Sequence, residues 1–243
     1  DLQIMSLIHR FSIHKYYIQS LSFSHDEKYL VSLGGAEDNY LIVWDVETGK
    51  AICGNAAGTD VVHQVKYFNR TNDRIITCQN YGIRIWTVEY VSKKLTFIDV
   101  NFGNLKRQIL CLCIDPYDKF AYCGTKSGDI LEIDLINGIY KRIGPVKRLF
   151  PQGVNCIRML PNSDILVGTK DGLIAKVSYT SFKVKAEGKV LGGVTSMALT
   201  ADSAYFFCGT EHSNIYWIET SSLKNEIRNT CHNDRINDVQ FPY

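Results

Sequence analysis

Long apolar runs are missing from this chain. No window of about 18 consecutive hydrophobic residues occurs, so no transmembrane helix is expected. An initiator methionine and a visible signal peptide are missing too. The opening Asp1-Leu2-Gln3-Ile4-Met5 reads as the continuation of a fold already under way. Net charge is small, with 27 Lys plus Arg against 25 Asp plus Glu, a formal +2. A protein whose affinity rests on nucleic-acid phosphates needs a marked basic excess, and this chain has none. There is no Gly-x-x-x-x-Gly-Lys phosphate loop, no Cys-x-x-Cys pair and no nucleophile elbow. No carboxylate is singled out by its surroundings as half of an acid–base pair. Catalysis, cofactor binding and a small-molecule substrate therefore have no residues to carry them.

What is present is enough for a packed core. Of 243 residues, 45% are hydrophobic and 12% aromatic, which excludes a disordered chain. The eight cysteines fall at irregular spacings, several inside strand-like runs, and suit reduced, buried thiols better than a disulfide framework. Asn69-Arg70-Thr71 matches a glycosylation tripeptide, a pattern common by chance. No low-complexity linker divides the chain, so residues 1–243 read as a single domain.

Six segments share an apolar–polar alternation: Ile18–Phe23, Val62–Tyr67, Ile109–Ile114, Val154–Met159, Val194–Leu199 and Ile236–Phe241. Their starts lie 44, 47, 45, 40 and 42 residues apart, the period of WD-type propeller blades. Each is followed by a turn and a second apolar strand, such as Tyr29-Leu30-Val31-Ser32 or Phe120-Ala121-Tyr122-Cys123. A Gly/Asp/Asn-rich turn, such as Ser127-Gly128-Asp129, then leads to a third strand. A weaker fourth strand, as in Lys50-Ala51-Ile52-Cys53, closes each unit. The expected fold is all-β: a WD40-type β-propeller of about five complete four-stranded blades, with partial blades at both ends. Helix is largely absent from this reading.

Trp44-Asp45 ends the third strand of the first complete unit. At that place the later units carry Trp86-Thr87, Ile133-Asp134, Val177-Ser178 and Ile218-Glu219. The large apolar residue is expected to pack between neighbouring blades. Trp217 falls one residue early, on the opposite face, and reads either as a packed edge aromatic or as a ligand contact. In the first unit His14 precedes the first strand by four residues, Ser32 lies on the second, and Asp38 stands six residues before Trp44. This set resembles the hydrogen-bonded tetrad of WD-type blades, and the resemblance implies a structural network of His14, Ser32, Asp38 and Trp44. A Ser/His/Asp set invites a catalytic-triad reading, but the blade already explains the spacing. His232 holds the same place before the sixth segment.

Cys111 and Cys113 face one way on a strand and could offer half a metal site; nothing completes it, and core thiols are the expectation. Basic pairs occur at Lys93-Lys94, Lys106-Arg107, Lys141-Arg142 and Lys147-Arg148, read as solvated loops or charged strand edges. Were Lys141 to Arg148 one exposed surface, an acidic partner such as tubulin would suit it.

Several stretches resemble the cilia- and flagella-associated WD-repeat protein family. They are Tyr29-Leu30-Val31-Ser32-Leu33-Gly34-Gly35, Ala51-Ile52-Cys53-Gly54, Leu105-Lys106-Arg107 and Gly128-Asp129-Ile130-Leu131. The set continues with Gly192-Gly193-Val194-Thr195-Ser196, Gly209-Thr210-Glu211 with Ser213 and Ile215-Tyr216, Thr230-Cys231-His232, and Phe241-Pro242. Each is weak singly, but they run collinearly from about His14 to the last residue. The resemblance implies a non-catalytic structural subunit of the axoneme of cilia and flagella. It would be a microtubule inner protein contacting tubulin and other inner proteins of the doublet, with no cofactor, membrane or nucleic-acid partner. It also implies part of a seven-bladed propeller within a longer two-propeller protein. Five full units are fewer than seven, and Trp and Asp are sparse in the third to fifth, which puts their polar networks in doubt. A general cytosolic WD40 scaffold that recruits partner proteins is the alternative.

Overall fold

The computed structural model describes residues 6–145, 147–230 and 232–240, and among these there are strands, turns and no helix. Twenty strands form five four-stranded antiparallel sheets, each a simple meander in chain order. Sheet 1 comprises β1 (Ile18–Phe23), β2 (Tyr29–Gly34), β3 (Tyr40–Asp45) and β4 (Ala51–Ala56). Sheet 2 comprises β5 (Val62–Tyr67), β6 (Arg74–Gln79), β7 (Gly82–Glu89) and β8 (Lys94–Asp99). Sheet 3 holds β9 (Ile109–Ile114), β10 (Phe120–Thr125), β11 (Ile130–Asp134) and β12 (Ile139–Gly144). Sheet 4 holds β13 (Val154–Met159), β14 (Ile165–Thr169), β15 (Leu173–Val177) and β16 (Val184–Lys189). Sheet 5 holds β17 (Val194–Leu199), β18 (Tyr205–Thr210), β19 (Ile215–Glu219) and β20 (Asn225–Asn229).

The chain forms two compact units. The first takes residues up to 101 together with 116–118, the second residues 102–115 and those from 119 onward. In the first, Val31, Leu33, Val62, Val65, Ile75 and Trp86 share one core. The serines of β1 reach across to β5: the amide of Tyr67 donates to Ser22 Oγ at 2.9 Å and that of Val65 to Ser20 Oγ at 3.3 Å. In the second, β13 packs on β9, and β17 on β13.

Alternation alone does not describe the middle strands. All five residues of β14 are buried, and so are the last five of β10, because these strands have packed side chains on both faces. The fourth strands are edges and carry the charge, as in the Lys185, Glu187 and Lys189 of β16. Every sheet also skips one residue near the start of its first strand: Val62 pairs with Gln79 but Gln64 with Cys78, and Val194 with Thr210 but Ser196 with Gly209. The same slip occurs in sheets 1, 3 and 4. These are β-bulges, which leave one residue unopposed and sharpen the local twist.

A close approach recurs in the second unit. A Cβ on Gly124 would collide with Val154 Cγ1, and one on Gly168 with Val194 Cγ1. One on Gly209 would lie 2.6 Å from Ile236 Cγ2. In each case a glycine of the second strand leaves a hollow for the β-branched residue that follows the sheet.

The sixth segment differs from expectation. Residues 236–240 carry no strand, and Phe241 lies outside the described residues. Ile236 is nonetheless buried, and its amide donates to Thr210 O at 3.1 Å, so it caps sheet 5 without pairing further. Residues 6–13 likewise carry no strand. They lie along sheet 1, where Phe11 packs on Trp44 with ring centroids 4.9 Å apart and His9 Nε2 meets Glu47 O at 2.9 Å.

Candidate functional site

Trp44 pairs with Leu30 across the β2–β3 ladder, so Ser32, two residues further along β2, faces the same way. The Trp44 indole N–H donates to Ser32 Oγ at 2.8 Å. His14 Nε2 lies 2.7 Å from the same oxygen, and His14 Nδ1 contacts the Asp38 carboxylate. With a neutral imidazole whose Nδ1–H donates to the carboxylate, Nε2 accepts and the Ser32 hydroxyl donates to it. In that tautomer a relay runs from Trp44 through Ser32 and His14 to Asp38, joining β3, β2, the segment before β1 and the β2–β3 turn.

The connectivity is that of a hydrolytic triad, but its setting is not. Ser32 is only 3% exposed, and one lone pair of its oxygen is held by the indole of Trp44. A nucleophile must meet a carbonyl carbon, and no substrate can reach this hydroxyl.

The other sheets keep parts of this arrangement. In sheet 2 the Trp86 indole donates to Thr77 Oγ1 at 2.9 Å, with Thr77 in the place of Ser32. His63, Asn80 and Asp60 form a separate chain at its loop end, with links of 2.9 Å each. In sheet 3 Arg107 Nε donates to Asp129 Oδ2 at 2.9 Å, and the same carboxylate accepts from the Thr125 hydroxyl. In sheet 4 Thr169 donates to Asp171 at 2.5 Å. In sheets 3 and 4 a threonine that ends the second strand is followed by Asp after four and two residues, a signal legible in the sequence without any tryptophan.

The aspartate of Trp44-Asp45 has its own task. Asp45 Oδ1 accepts from the amide of Thr48 at 2.7 Å and from its hydroxyl at 2.9 Å, closing the turn to β4. Asp134 does the same for the amides of Ile136 and Asn137, both at 3.0 Å. Glu219 takes the hydroxyls of Ser221 and Ser222. Donation from Thr48, Asn137 and Ser222 respectively holds these three carboxyls below their usual range.

Trp217 lies on the outward face of β19 between Tyr205 and Phe207, with ring centroids at 4.8 and 4.7 Å, and Arg228 sits over it. His232 is exposed. Cys111 and Cys113 are buried on β9, and no trio of metal-binding side chains exists among the described residues. In three of the basic pairs the arginine turns to a carboxylate of the same unit: Arg107 to Asp129, Arg142 to Glu132, and Arg148 to Glu187 at 3.2 Å. Lys141 to Arg148 is thus not one free basic surface, since Arg142 also donates to Tyr179 O at 2.5 Å. No helix among the described residues is long and apolar enough to cross a membrane.

Five four-stranded meanders, a bulge repeated in every first strand and an indole–hydroxyl–imidazole relay define a protein of the WD40 β-propeller class. Residues 5–45 match the family described as WD domain, G-beta repeat. The solved β-propeller domain of Myceliophteria thermophila Cps50 (Swd1) superposes with a TM-score of 0.84, covering 99% of this chain and 82% of that one. At 14% identity that likeness speaks for the fold alone. Within the class, the whole length of this chain is similar to part of cilia- and flagella-associated protein 52. It is 42% identical over 245 residues to the Chlamydomonas reinhardtii protein and 35% over 246 residues to the Homo sapiens one. The chain spans 40% of the length of those relatives.

Proposed function

We propose that this protein is a non-catalytic structural component of the axoneme of cilia and flagella, working through protein–protein contacts as a microtubule inner protein that steadies doublet microtubules. The observation that carries the reading is identity of 42% and 35%, over the whole chain, to two proteins named for their association with cilia and flagella. The burial of the Ser32 hydroxyl agrees with a structural role for the relay rather than turnover at it. Tubulin and neighbouring inner proteins are the proposed partners. The four-residue relay is proposed to serve stability. Residues 1–243 are proposed as part of a seven-bladed propeller in a longer, two-propeller protein.

Cryo-electron imaging of axonemal doublets from cells with and without the full-length protein tests this. Loss of a discrete luminal density in the deficient cells supports the role and locates the contact face. Unchanged doublets, with the protein in the soluble fraction, would reject it in favour of a cytosolic scaffold.

A further inference from the structure

One outer strand lacks the protection that the other four have. In β4, β12, β16 and β20 the pairing with the third strand slips by one residue, at Val43/Trp44, Glu132/Ile133, Lys176/Val177 and Ile215/Tyr216. Bulges of this kind twist an edge away from foreign strands. A glycine or a charge within the strand adds to the effect, as with Gly54 in β4, Arg142 in β12, Glu187 in β16 and Glu226 in β20. By contrast β8 pairs with β7 through six consecutive residues, from Arg84 with Asp99 to Glu89 with Lys94, without a slip. Its sequence, Lys94-Leu95-Thr96-Phe97-Ile98-Asp99, has charge only at its two ends and neither glycine nor proline.

The ladder fixes which main-chain groups of β8 face outward. The Val88 N–H donates to Asp73 O at 2.7 Å, so the main chain of Val88 faces β6. Leu95, its partner on β8, therefore turns its own N–H and C=O away from the sheet, and Phe97 and Asp99, two and four residues on, do the same. Asn55 of β4 covers one of these groups, donating to Leu95 O at 3.0 Å. Phe97 and Asp99 lie beyond that cover, and the side chains of Phe97 and Ile98 are 40% and 55% exposed. The edge is also braced. The Arg84 guanidinium sits 4.1 Å from the centre of the Phe97 ring and donates to Asp99 Oδ1 at 2.8 Å, while the ring packs on Trp86 with centroids 4.8 Å apart.

We propose that the β8 edge is a docking site for an extended segment of a partner protein, which joins sheet 2 as a fifth strand through the main chain of Phe97 and Asp99. A row of outward N–H and C=O groups at strand spacing is matched by another extended backbone, which fixes the form of the occupant. The segment carries β-branched or aromatic residues, because cross-strand pairs with Phe97 and Ile98 favour those side chains. A braced edge loses little freedom on pairing, so the docking geometry is already in place. The inference is independent of the axonemal reading, and no outcome below bears on that reading.

The test is fluorescence anisotropy of the full-length protein with a labelled peptide of alternating Thr and Val, ended by Lys on both sides. Its control has the same sequence with every peptide nitrogen methylated, which removes main-chain donation. The parent peptide is expected to bind roughly tenfold tighter, the scale of two main-chain hydrogen bonds. Ile98→Lys puts a charge in the middle of the edge and should abolish that preference. Phe97→Pro removes an outward N–H while leaving the bonds to β7 in place, and should do the same. Circular dichroism reports the fold of each variant, and the exposed position of Ile98 keeps one arm readable should Phe97→Pro fail to fold. Sedimentation of the protein alone is expected to show no self-association that Ile98→Lys disperses. Undetectable binding, equal affinity for the two peptides, or an unchanged preference in a folded Ile98→Lys would overturn the proposal. So would a dimer that Ile98→Lys disperses, since the edge would then belong to a second copy.

Discussion

Replacing His14 with alanine leaves the Ser32 hydroxyl without its acceptor and the Asp38 carboxylate without its donor, both largely out of solvent. Deleting one member of a mostly buried polar chain strands the others, so a loss of about 1–2 kcal/mol is expected, read as a lower urea midpoint. Trp86→Phe gives the complementary case, because Thr77 is then left unpaired while most of the ring volume remains. A smaller loss of about 1 kcal/mol is expected there. Gly124→Ala adds a single methyl group where Val154 and the Cys111 sulfur, 2.7 Å from the new atom, already fill the space. Overpacking of this kind typically removes about 1–3 kcal/mol, and thermal melting checks it. An unchanged melting temperature for His14→Ala would mean that the relay is ornamental to stability.

Strand by strand, the chain announces its elements well. The apolar–polar period located the first strand of every sheet, and the turn residues located the hairpins. The bulges were not legible. A bulge is one extra residue within an alternating run, and His63, Asn155 and Thr195 look like ordinary outward positions until the partner strand shows that nothing opposes them. The relay was legible through the resemblance of His14, Ser32, Asp38 and Trp44 to the tetrad of WD-type blades. Arg107–Asp129 was not, since an arginine two residues ahead of a strand has many uses. The Ile236–Phe241 run has the right pattern, but a strand also needs a neighbour to pair with, and among its described residues, 236–240, Ile236 alone is buried. At this scale the first-turn positions offer a test. Glu27 and Ser163 adopt φ of 59° and 65° in equivalent turns, where a side chain is strained. Ser163→Gly is expected to leave the fold intact and raise stability by up to about 1 kcal/mol, relief of strain outweighing the added freedom of the unfolded chain. Chemical denaturation measures it.

For the molecule as a whole, the buried thiols and phenols set an alkaline limit. Burial pushes the thiol of Cys53 up to about 11 and that of Cys78 up to about 12, and it raises the hydroxyls of Tyr67, Tyr90 and Tyr122 as well. The unfolded chain gives up these protons first, so above pH 9 it binds fewer protons than the folded one. Stability must then fall as pH rises from about 9 towards 12, and be fully present below that window. Urea midpoints measured from pH 8 to 11 should show a steady decline, and a flat profile would contradict the burial of these groups. In the same range Cys78 should react slowly with iodoacetamide, since the thiolate is the reactive form.

The hollows at Gly124, Gly168 and Gly209 also order events in time. Each is filled by the residue that opens the next stretch of chain, Val154, Val194 and Ile236 in turn. During synthesis a sheet can pair its own four strands as soon as they leave the ribosome, yet it stays unsealed until that following residue has emerged. Every sheet of this unit thus waits for its successor. A pause in translation just before Val154 or Val194 would hold a finished sheet open to chaperones and proteases for as long as the pause lasts.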